Sequence, residues 1–422
     1  MENIQAVKGM NDILPDQIGW WQYVESTTRK LFERFGYREI RTPALEKLEL
    51  FARSIGESTD IVEKEMYTIA DSRGEWLALR PEATASIVRA FIQHNLLADP
   101  LARKFYAIGP MFRHERPQKG RYRQFHQIDA EAFGVEDPML DAEVMYMLVL
   151  LLRKLGLTGV VLHINSLGCR ECRPLFRERL TGFLEQMAGR LCPDCQRRRH
   201  TNPLRTFDCK VDRCQAALAE APLLLDSICG HCAEHFNRVK GYLEDLRTPY
   251  IVNPRMVRGL DYYTRTTFEI ITDRLGAQNA VGGGGRYDGL VRDLGGPDVS
   301  GIGFAIGMER LILLLQQERP APVGVPPVFV AVLGEKARHR GFLLSQEIRE
   351  LGLEVEMDYE GRSLKSQMRR ADKLGSRYVL ILGDDEIERN QAQLRDMREK
   401  TQSVLPLTDA PAQLKQLIVS AV

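Results

Sequence analysis

A multidomain α/β protein is predicted from three features of the chain. It has apolar residues enough for more than one core; its strand-like segments are split by a helical stretch that holds every cysteine; and a proline-rich break is followed by alternating strands and helices. The 422 residues are 44% hydrophobic, and at roughly 150 residues per domain that length points to about three units. The divisions fall at residues 1–168 and 251–318 for a large domain in two parts, 169–250 for a helical, cysteine-bearing insertion, 319–327 for a linker and 328–422 for a small domain.

Over residues 17–35 the apolar side chains recur at helical spacing, and Gly36 stands where a helix-ending glycine belongs. A strand over 37–42 then runs into Pro43. Pro81 at a first helical turn, with Glu82 behind it, predicts a helix to about residue 97, since an acidic group suits the positive end of a helix. Strands dominate from 103 to 134, joined by the polar segment HERPQKGRYR with Gly120 as its turn residue. Residues 175–246 read as helices broken at cysteines and prolines. Strand character returns in TTFEIIT, in GGGGRYDGL and in GIGFAIGMERLILLL, a strand entering a helix at Glu309. The segment QQERPAPVGVPP, with Pro320, Pro322, Pro326 and Pro327, suits a stiff extended linker. Beyond it VFVAVL, a helix over 336–351, LEVEMD, a second helix and YVLILG alternate, the pattern of a small α/β sheet, parallel or mixed.

A net charge of +1 with 27% charged residues sets up no overall field towards nucleic acid or an anionic membrane, so any RNA contact must come from local patches. Neither the start, MENIQAVKGMNDILP, nor the most apolar run, 145–152, has the make-up of an export signal or a membrane span. The expectation is a soluble, cytoplasmic protein. In the last domain Arg362, Lys365, Arg369, Lys373 and Arg377 recur at three- and four-residue steps, a basic stripe on one helix relieved locally only by Asp372. Such a stripe fits a solvated surface or a phosphate-backbone partner.

The eight cysteines form three CxxC pairs, Cys169 with Cys172, Cys192 with Cys195 and Cys229 with Cys232, and a looser pair, Cys209 with Cys214. Such pairs offer thiolates to tetrahedral zinc, and disulfides do not suit a reducing cytosol. Structural zinc and free buried thiols both fit.

Three segments could carry chemistry. In QFHQIDAEAFG the two-residue period puts Gln127, Asp129 and Glu131 on one face and Ile128, Ala130 and Ala132 on the other. The polar face is either a binding floor or a solvated exterior. The neighbouring strand ends in FRHE, where Arg113 precedes a basic hairpin with Arg116, Lys119, Arg121 and Arg123. A guanidinium beside carboxylates can hold a phosphate on one side and leave an ammonium site on the other. In GIGFAIGMER, glycines allow close backbone approach to a flat ligand, and Arg310 falls in a first helical turn, where a cation gains from an anionic ligand.

In order along the chain, the strand ending at Thr42 and Pro43, then FRHE, then GMER resemble the three signature motifs of class II aminoacyl-tRNA synthetases. Between the last two, MVRGLDYY over 256–263 and GGGGRYDGL resemble the signatures of the histidyl-tRNA synthetase family, which more often has leucine at the place of Met256. The resemblance covers nearly the whole chain. It implies an antiparallel-sheet catalytic domain, an anticodon-binding domain at the C-terminus, a homodimer, and ligation of histidine to its tRNA using ATP and Mg2+. Two other readings share parts of these motifs: a regulatory relative in histidine biosynthesis, which typically lacks the last domain and degrades the arginines, and a class II synthetase for proline, threonine or glycine.

What the resemblance implies for single residues is as follows. Arg113 and Arg258 are the catalytic pair on opposite sides of the α-phosphate, Arg310 holds the terminal phosphate, and Glu115 and Tyr122 lie on the nucleotide side. Glu82, Ala83, Thr84 and Gln127 surround the histidine ammonium, Glu131 and Tyr263 take the imidazole, and Tyr262 packs alongside. A neutral imidazole has one donor and one acceptor nitrogen, so a carboxylate and a phenol can read both ends. Arg116 and Gln118 meet the acceptor end of the tRNA, and Arg362, Lys365, Arg369 and Lys373 its anticodon side. For Arg258 the competing partner is Asp261, in a buried ion pair.

Overall fold

Six antiparallel strands fill the middle of an eight-stranded sheet in the computed structural model, which describes residues 3–56, 59, 61–99, 103–276, 279–320 and 327–419. Across the sheet the strands run Arg38–Glu39, Lys104–Phe112, Gln124–Phe133, Gly301–Gly307, Ala280–Arg286, Thr264–Ile271, Val161–Ser166 and Tyr250–Val252. Only the two outermost pairs are parallel. The chain divides into two compact units, Met1–Ala321 and Pro322–Val422.

The sheet has two differently dressed faces. Ile128, Ala130 and Ala132 of one strand and Ile302, Phe304 and Ile306 of its neighbour enter the main core, which the helices Pro15–Arg34, Pro138–Lys154 and Met308–Glu318 complete with Phe32, Leu148 and Leu311. On the opposite face Gln127 stands across from Gly307, Asp129 from Ala305 and Glu131 from Gly303. GIGFAIG thus alternates large residues into the core with small residues beside the polar side chains.

At the end of the neighbouring strand Ala280–Arg286, a buried ion network fixes the sheet to its helices. Arg286 and Asp141 have fully buried side chains 2.6 Å apart, and His235 Nε2 lies 3.1 Å from the same carboxylate. Arg286 also donates to the Val135 and Asp137 carbonyls, so its donors are met inside the protein. Burial alone would raise the Asp141 carboxyl, but Arg286 and His235 hold it below the usual carboxylate range.

Several predicted elements are shorter than their pattern suggested. The helix expected from Pro81 begins at Thr84 and ends at Gln93. The Glu82 carboxylate accepts from the backbone N–H of Thr84 and Ala85, both at 2.9 Å, and Arg113 Nε donates to the Pro81 carbonyl at 2.9 Å, so Pro81–Ala83 are drawn out of the helix. At its end Asn95 turns left-handed at φ 47° before a short turn over Leu96–Ala98. The strand expected over 37–42 pairs only at Arg38 and Glu39, since Thr42 is instead held by Arg80, whose Nη1 donates to its carbonyl at 2.8 Å. A small sheet of Leu45–Lys47, Trp76–Leu79 and Thr68–Ala70 had no counterpart in the sequence pattern.

Residues 169–250 fold as the helices Cys172–Gln186, Pro193–Thr201, Asp212–Ala217 and Gly230–Asp245 with short turns between them. Apolar side chains of the first three, Phe176, Leu180 and Leu184 among them, share a second core with Ile87 and Phe91 of the Thr84–Gln93 helix, whereas Gly230–Asp245 sends Phe236, Val239 and Leu243 into the main core.

In the second unit the sheet runs Val355–Met357, Val328–Leu333, Tyr378–Gly383, Gln391–Asp396 and Thr401–Pro406. The first three strands are parallel and the last two form an antiparallel hairpin, so the sheet is mixed. Buried Gln367 ties helix Leu364–Lys373 to the central strand by bonding both the N–H and the carbonyl of Val332, at 2.9 and 2.8 Å. Most of the proline-rich linker, 321–326, lies outside the described residues. Among the described residues no helix is long and apolar enough to cross a membrane.

Candidate active site

One pocket opens over the polar face of the large sheet, and its floor is acidic. Glu82, Gln127 and Asp129 line it. Glu131 lies just behind them, accepting from Thr84 Oγ1 and from the Tyr287 hydroxyl, both at 2.5 Å. Asp129 is 1% exposed, and neither of its carboxylate oxygens has a hydrogen-bond partner among the described residues. Burial pushes its carboxyl well above the ordinary range, and Glu131 and Glu82 push it the same way. Burial likewise lifts Glu131 to about 8, against the two hydroxyl bonds that favour its charged form. Three carboxyl groups crowded into one desolvated space create a demand for a cation.

Four guanidinium groups line the same pocket: Arg113, Arg258 and Arg310, with Arg121 of the hairpin beside them. Arg113 is fixed by the Pro81 carbonyl and lies 5.3 Å from the centre of the Phe125 ring. Arg258 pairs with Glu269, not with Asp261, and sits 5.5 Å from the Tyr263 ring centre. Asp261 accepts instead from Asn202 Nδ2 at 2.9 Å. Arg310 donates to the Ala280 carbonyl at 2.6 Å and the Gly120 carbonyl at 3.3 Å, which seats the basic hairpin against the pocket rim. Glu115 and Tyr122 line the pocket too, Glu115 pairing with Arg121 at 2.7 Å.

The segment that carries Arg258, Tyr262 and Tyr263 has no regular secondary structure, so its shape must come from its anchors. Asn165 Nδ2 donates to the Met256 carbonyl at 2.8 Å, Arg205 to the Arg258 carbonyl at 3.1 Å, and Arg173 to the carbonyls of Asp261, at 3.3 Å, and Tyr263. Beneath it, the glycine run provides room: a Cβ on Gly283 would fall 2.9 Å from Arg258 Nη1, and one on Gly285 would fall 3.1 Å from Tyr263 Cδ1.

Comparison with known proteins sets this geometry in a family. The family model described as histidyl-tRNA synthetase matches residues 9–172 and 176–311, and that described as anticodon binding domain matches 327–417. The chain belongs to the histidyl-tRNA synthetase family. A histidine–tRNA ligase of Syntrophotalea carbinolica is 55% identical over 406 residues, 96% of each chain. One of Geobacter metallireducens is 56% identical over 401 residues, 95% of this chain and 96% of its own. Among solved structures, the apo histidyl-tRNA synthetase of S. aureus superposes with a TM-score of 0.82 at 35% identity, covering 97% of this chain and 99% of that one. The eight-stranded sheet is thus the catalytic fold of a class II synthetase, followed by an anticodon-binding domain with a mixed sheet.

Of the residues expected in a histidyl-tRNA synthetase pocket, Glu82, Thr84, Arg113, Glu115, Tyr122, Gln127, Arg258, Tyr262, Tyr263 and Arg310 line one cavity. Ala83 is fully buried below that surface, and Glu131 lies behind it, hydrogen-bonded to Thr84 and Tyr287. Arg116 and Gln118 are exposed on the hairpin, away from the cavity wall, with Gln118 bridging Arg121 across its tip. Sequence reasoning missed two residues. Asp129 falls on the polar face by periodicity but carried no assigned role, and Tyr287 stood out only as part of GGGGRYDGL. Its ring lies 5.7 Å from that of Tyr262. The basic stripe is narrower than predicted. Lys365, Arg369 and Lys373 are exposed on the helix, whereas Arg362 precedes it, paired with Glu360, and Arg377 follows it, paired with Asp396.

Proposed function

We propose that this chain joins L-histidine to ATP as histidyl-adenylate, releasing pyrophosphate, and then passes the histidyl group to the 3′ end of its cognate tRNA. The supporting observation is the convergence of Arg113, Arg258 and Arg310 on one pocket with an acidic floor. Attack of the histidine carboxylate on the α-phosphate gathers negative charge at phosphorus, and preorganised cations are the main lever for such a step. In this reading Arg113 and Arg258 flank the α-phosphate, Arg310 holds the terminal phosphate, and Glu115 and Tyr122 face the adenosine. Glu82, Thr84, Gln127 and Asp129 receive the ammonium above Ala83, while Glu131, Tyr262 and Tyr263 form the imidazole side. ATP enters as its magnesium complex, the usual form of this substrate.

Arg116 and Gln118, exposed on the hairpin beside the pocket, suit the tRNA acceptor end. Arg362, Lys365, Arg369 and Lys373 suit a phosphate backbone near the anticodon. A homodimer acting in the cytoplasm completes the proposal, together with structural zinc in the insertion. The anticodon-binding match over 327–417 and the intact arginine set weigh against the regulatory reading. The test is ATP–pyrophosphate exchange with each amino acid in turn, followed by tRNA charging. Exchange with histidine alone is expected; exchange with proline in its place, or with no amino acid, would sink the proposal.

A further inference from the structure

The eight cysteines do not group as the four neighbouring pairs of the sequence. Cys169 and Cys172 meet Cys229 and Cys232, and Cys192 and Cys195 meet Cys209 and Cys214, with all sulfurs of each set within 4.8 Å of one another. The closest separations in the first set are 3.6, 4.0 and 3.9 Å, and in the second 3.8 Å. A tetrahedral zinc with bonds of about 2.3 Å to sulfur places its ligands roughly 3.8 Å apart, close to these shortest separations in both sets. All eight are free cysteines.

The backbone is shaped to the same end. The Cys229 N–H donates to Cys172 Sγ and the Cys192 N–H to Cys214 Sγ, each at 3.1 Å, bonds that favour a thiolate over a thiol. Gly168 turns at φ 61° immediately before Cys169, and a Cβ there would fall 2.7 Å from Cys172 Cβ, so the first set closes only with glycine at this place. All four residues of the second set are buried, with their sulfurs gathered around one point.

The geometry points to two separate structural zinc ions in the insertion, one held by Cys169, Cys172, Cys229 and Cys232 and the other by Cys192, Cys195, Cys209 and Cys214. The first joins the two ends of the insertion, since its pairs lie at the starts of helices Cys172–Gln186 and Gly230–Asp245. The second closes the stretch between them. Arg173, next to Cys172, and Arg205, between Cys195 and Cys209, are two of the three residues that anchor the Met256–Tyr263 segment, so each ion steadies an anchor of the pocket.

The full-length chain, purified without chelator, should carry about two zinc atoms by mass-spectrometric metal analysis, one for each four-sulfur set. Cys172→Ser and Cys195→Ser should each retain about one. Should these variants fail to fold, cobalt substitution of the unaltered chain gives a second measurement: thiolate-to-cobalt charge-transfer bands and the strong visible bands of a tetrahedral ion are expected. Folded protein with no metal, with iron in place of zinc, or with a single zinc unaffected by one of the two substitutions would overturn the inference. Metal content does not depend on which amino acid the pocket accepts, so its outcome is independent of the exchange assay.

Discussion

Asp129 is a carboxylate that folding has stripped of water and left without a hydrogen bond among the described residues. Burial of that kind is costly unless a bound cation answers it. Asp129→Asn removes the group that can ionise to meet a cation and keeps the shape. The KM for histidine should rise about 10- to 100-fold, the worth of a charge-assisted bond, with the KM for ATP nearly unchanged. Thermal stability should hold or increase, as it does when a functional charge is removed from a buried place. Equal rises in both KM values would show that the residue only supports the fold. Glu131 offers a pH test. With its folded pKa near 8 and an unfolded value near 4.5, it binds a proton in the folded state that the unfolded chain has already lost. Its contribution to stability is therefore complete below about pH 4.5 and fades as pH rises towards about 8, a loss of a few kcal/mol. Glu131→Gln cannot titrate, so the ligand-free variant should gain stability relative to the parent between about pH 5 and pH 8. Parallel melting curves for the two proteins would refute this.

Two adjacent strands make the pocket by what they lack. A Cβ on Gly303 would fall 1.6 Å from a Glu131 oxygen, and one on Gly283 would crowd both Arg258 and the Phe268 carbonyl, at 2.9 and 2.5 Å. Gly283→Ala should therefore displace Arg258 without removing it. Misplacement of a reacting group by about 1 Å costs on the order of 100-fold in rate, and Arg258→Ala should cost about 10² to 10³ in the kcat of adenylate formation. In both, the KM for ATP should change little, because the charge is wanted mainly in the transition state; single-turnover kinetics separates the two parameters. A Gly283→Ala enzyme with the parent's kcat would mean that the strand yields and the glycine is incidental. The alternation in QFHQIDAEAFG and GIGFAIG was legible from the sequence because period two is a local property. That both faces are buried was not, since helices far along the chain cover one side and the pocket closes over the other. The Met256–Tyr263 segment was legible only as a resemblance. Its anchors, Asn165, Arg173 and Arg205, come from elsewhere in the chain, and no periodicity records them.

The chain is built as two units with their own cores, one around the large sheet and one in which Val330, Leu344, Leu380 and Leu394 pack together. The division was legible because prolines break the pattern and the alternation of strand and helix begins anew. The hairpin Gln391–Pro406 was not, although Ala392 and Leu394 alternate into the core, because its second strand is mostly exposed and buries only Leu405. Separate cores allow the two chemical steps to be weakened separately. Adenylate formation needs only the pocket, whereas charging also needs the tRNA to be held along its length. Lys365, Arg369 and Lys373 are exposed on one helix of the second unit and make no ion pair among the described residues. Replacing all three with alanine should leave histidine-dependent pyrophosphate exchange unchanged. If each side chain neutralises one phosphate, the slope of log affinity for tRNA against log salt should become shallower by about 2, since every neutralised phosphate of a single strand adds roughly 0.7 to that slope. The KM for tRNA should rise at least about tenfold at low salt, where such charges act most strongly, and the gap from the parent should close as salt is added. A rise in KM with an unchanged slope would place the tRNA elsewhere on this unit and return the stripe to a solvated surface.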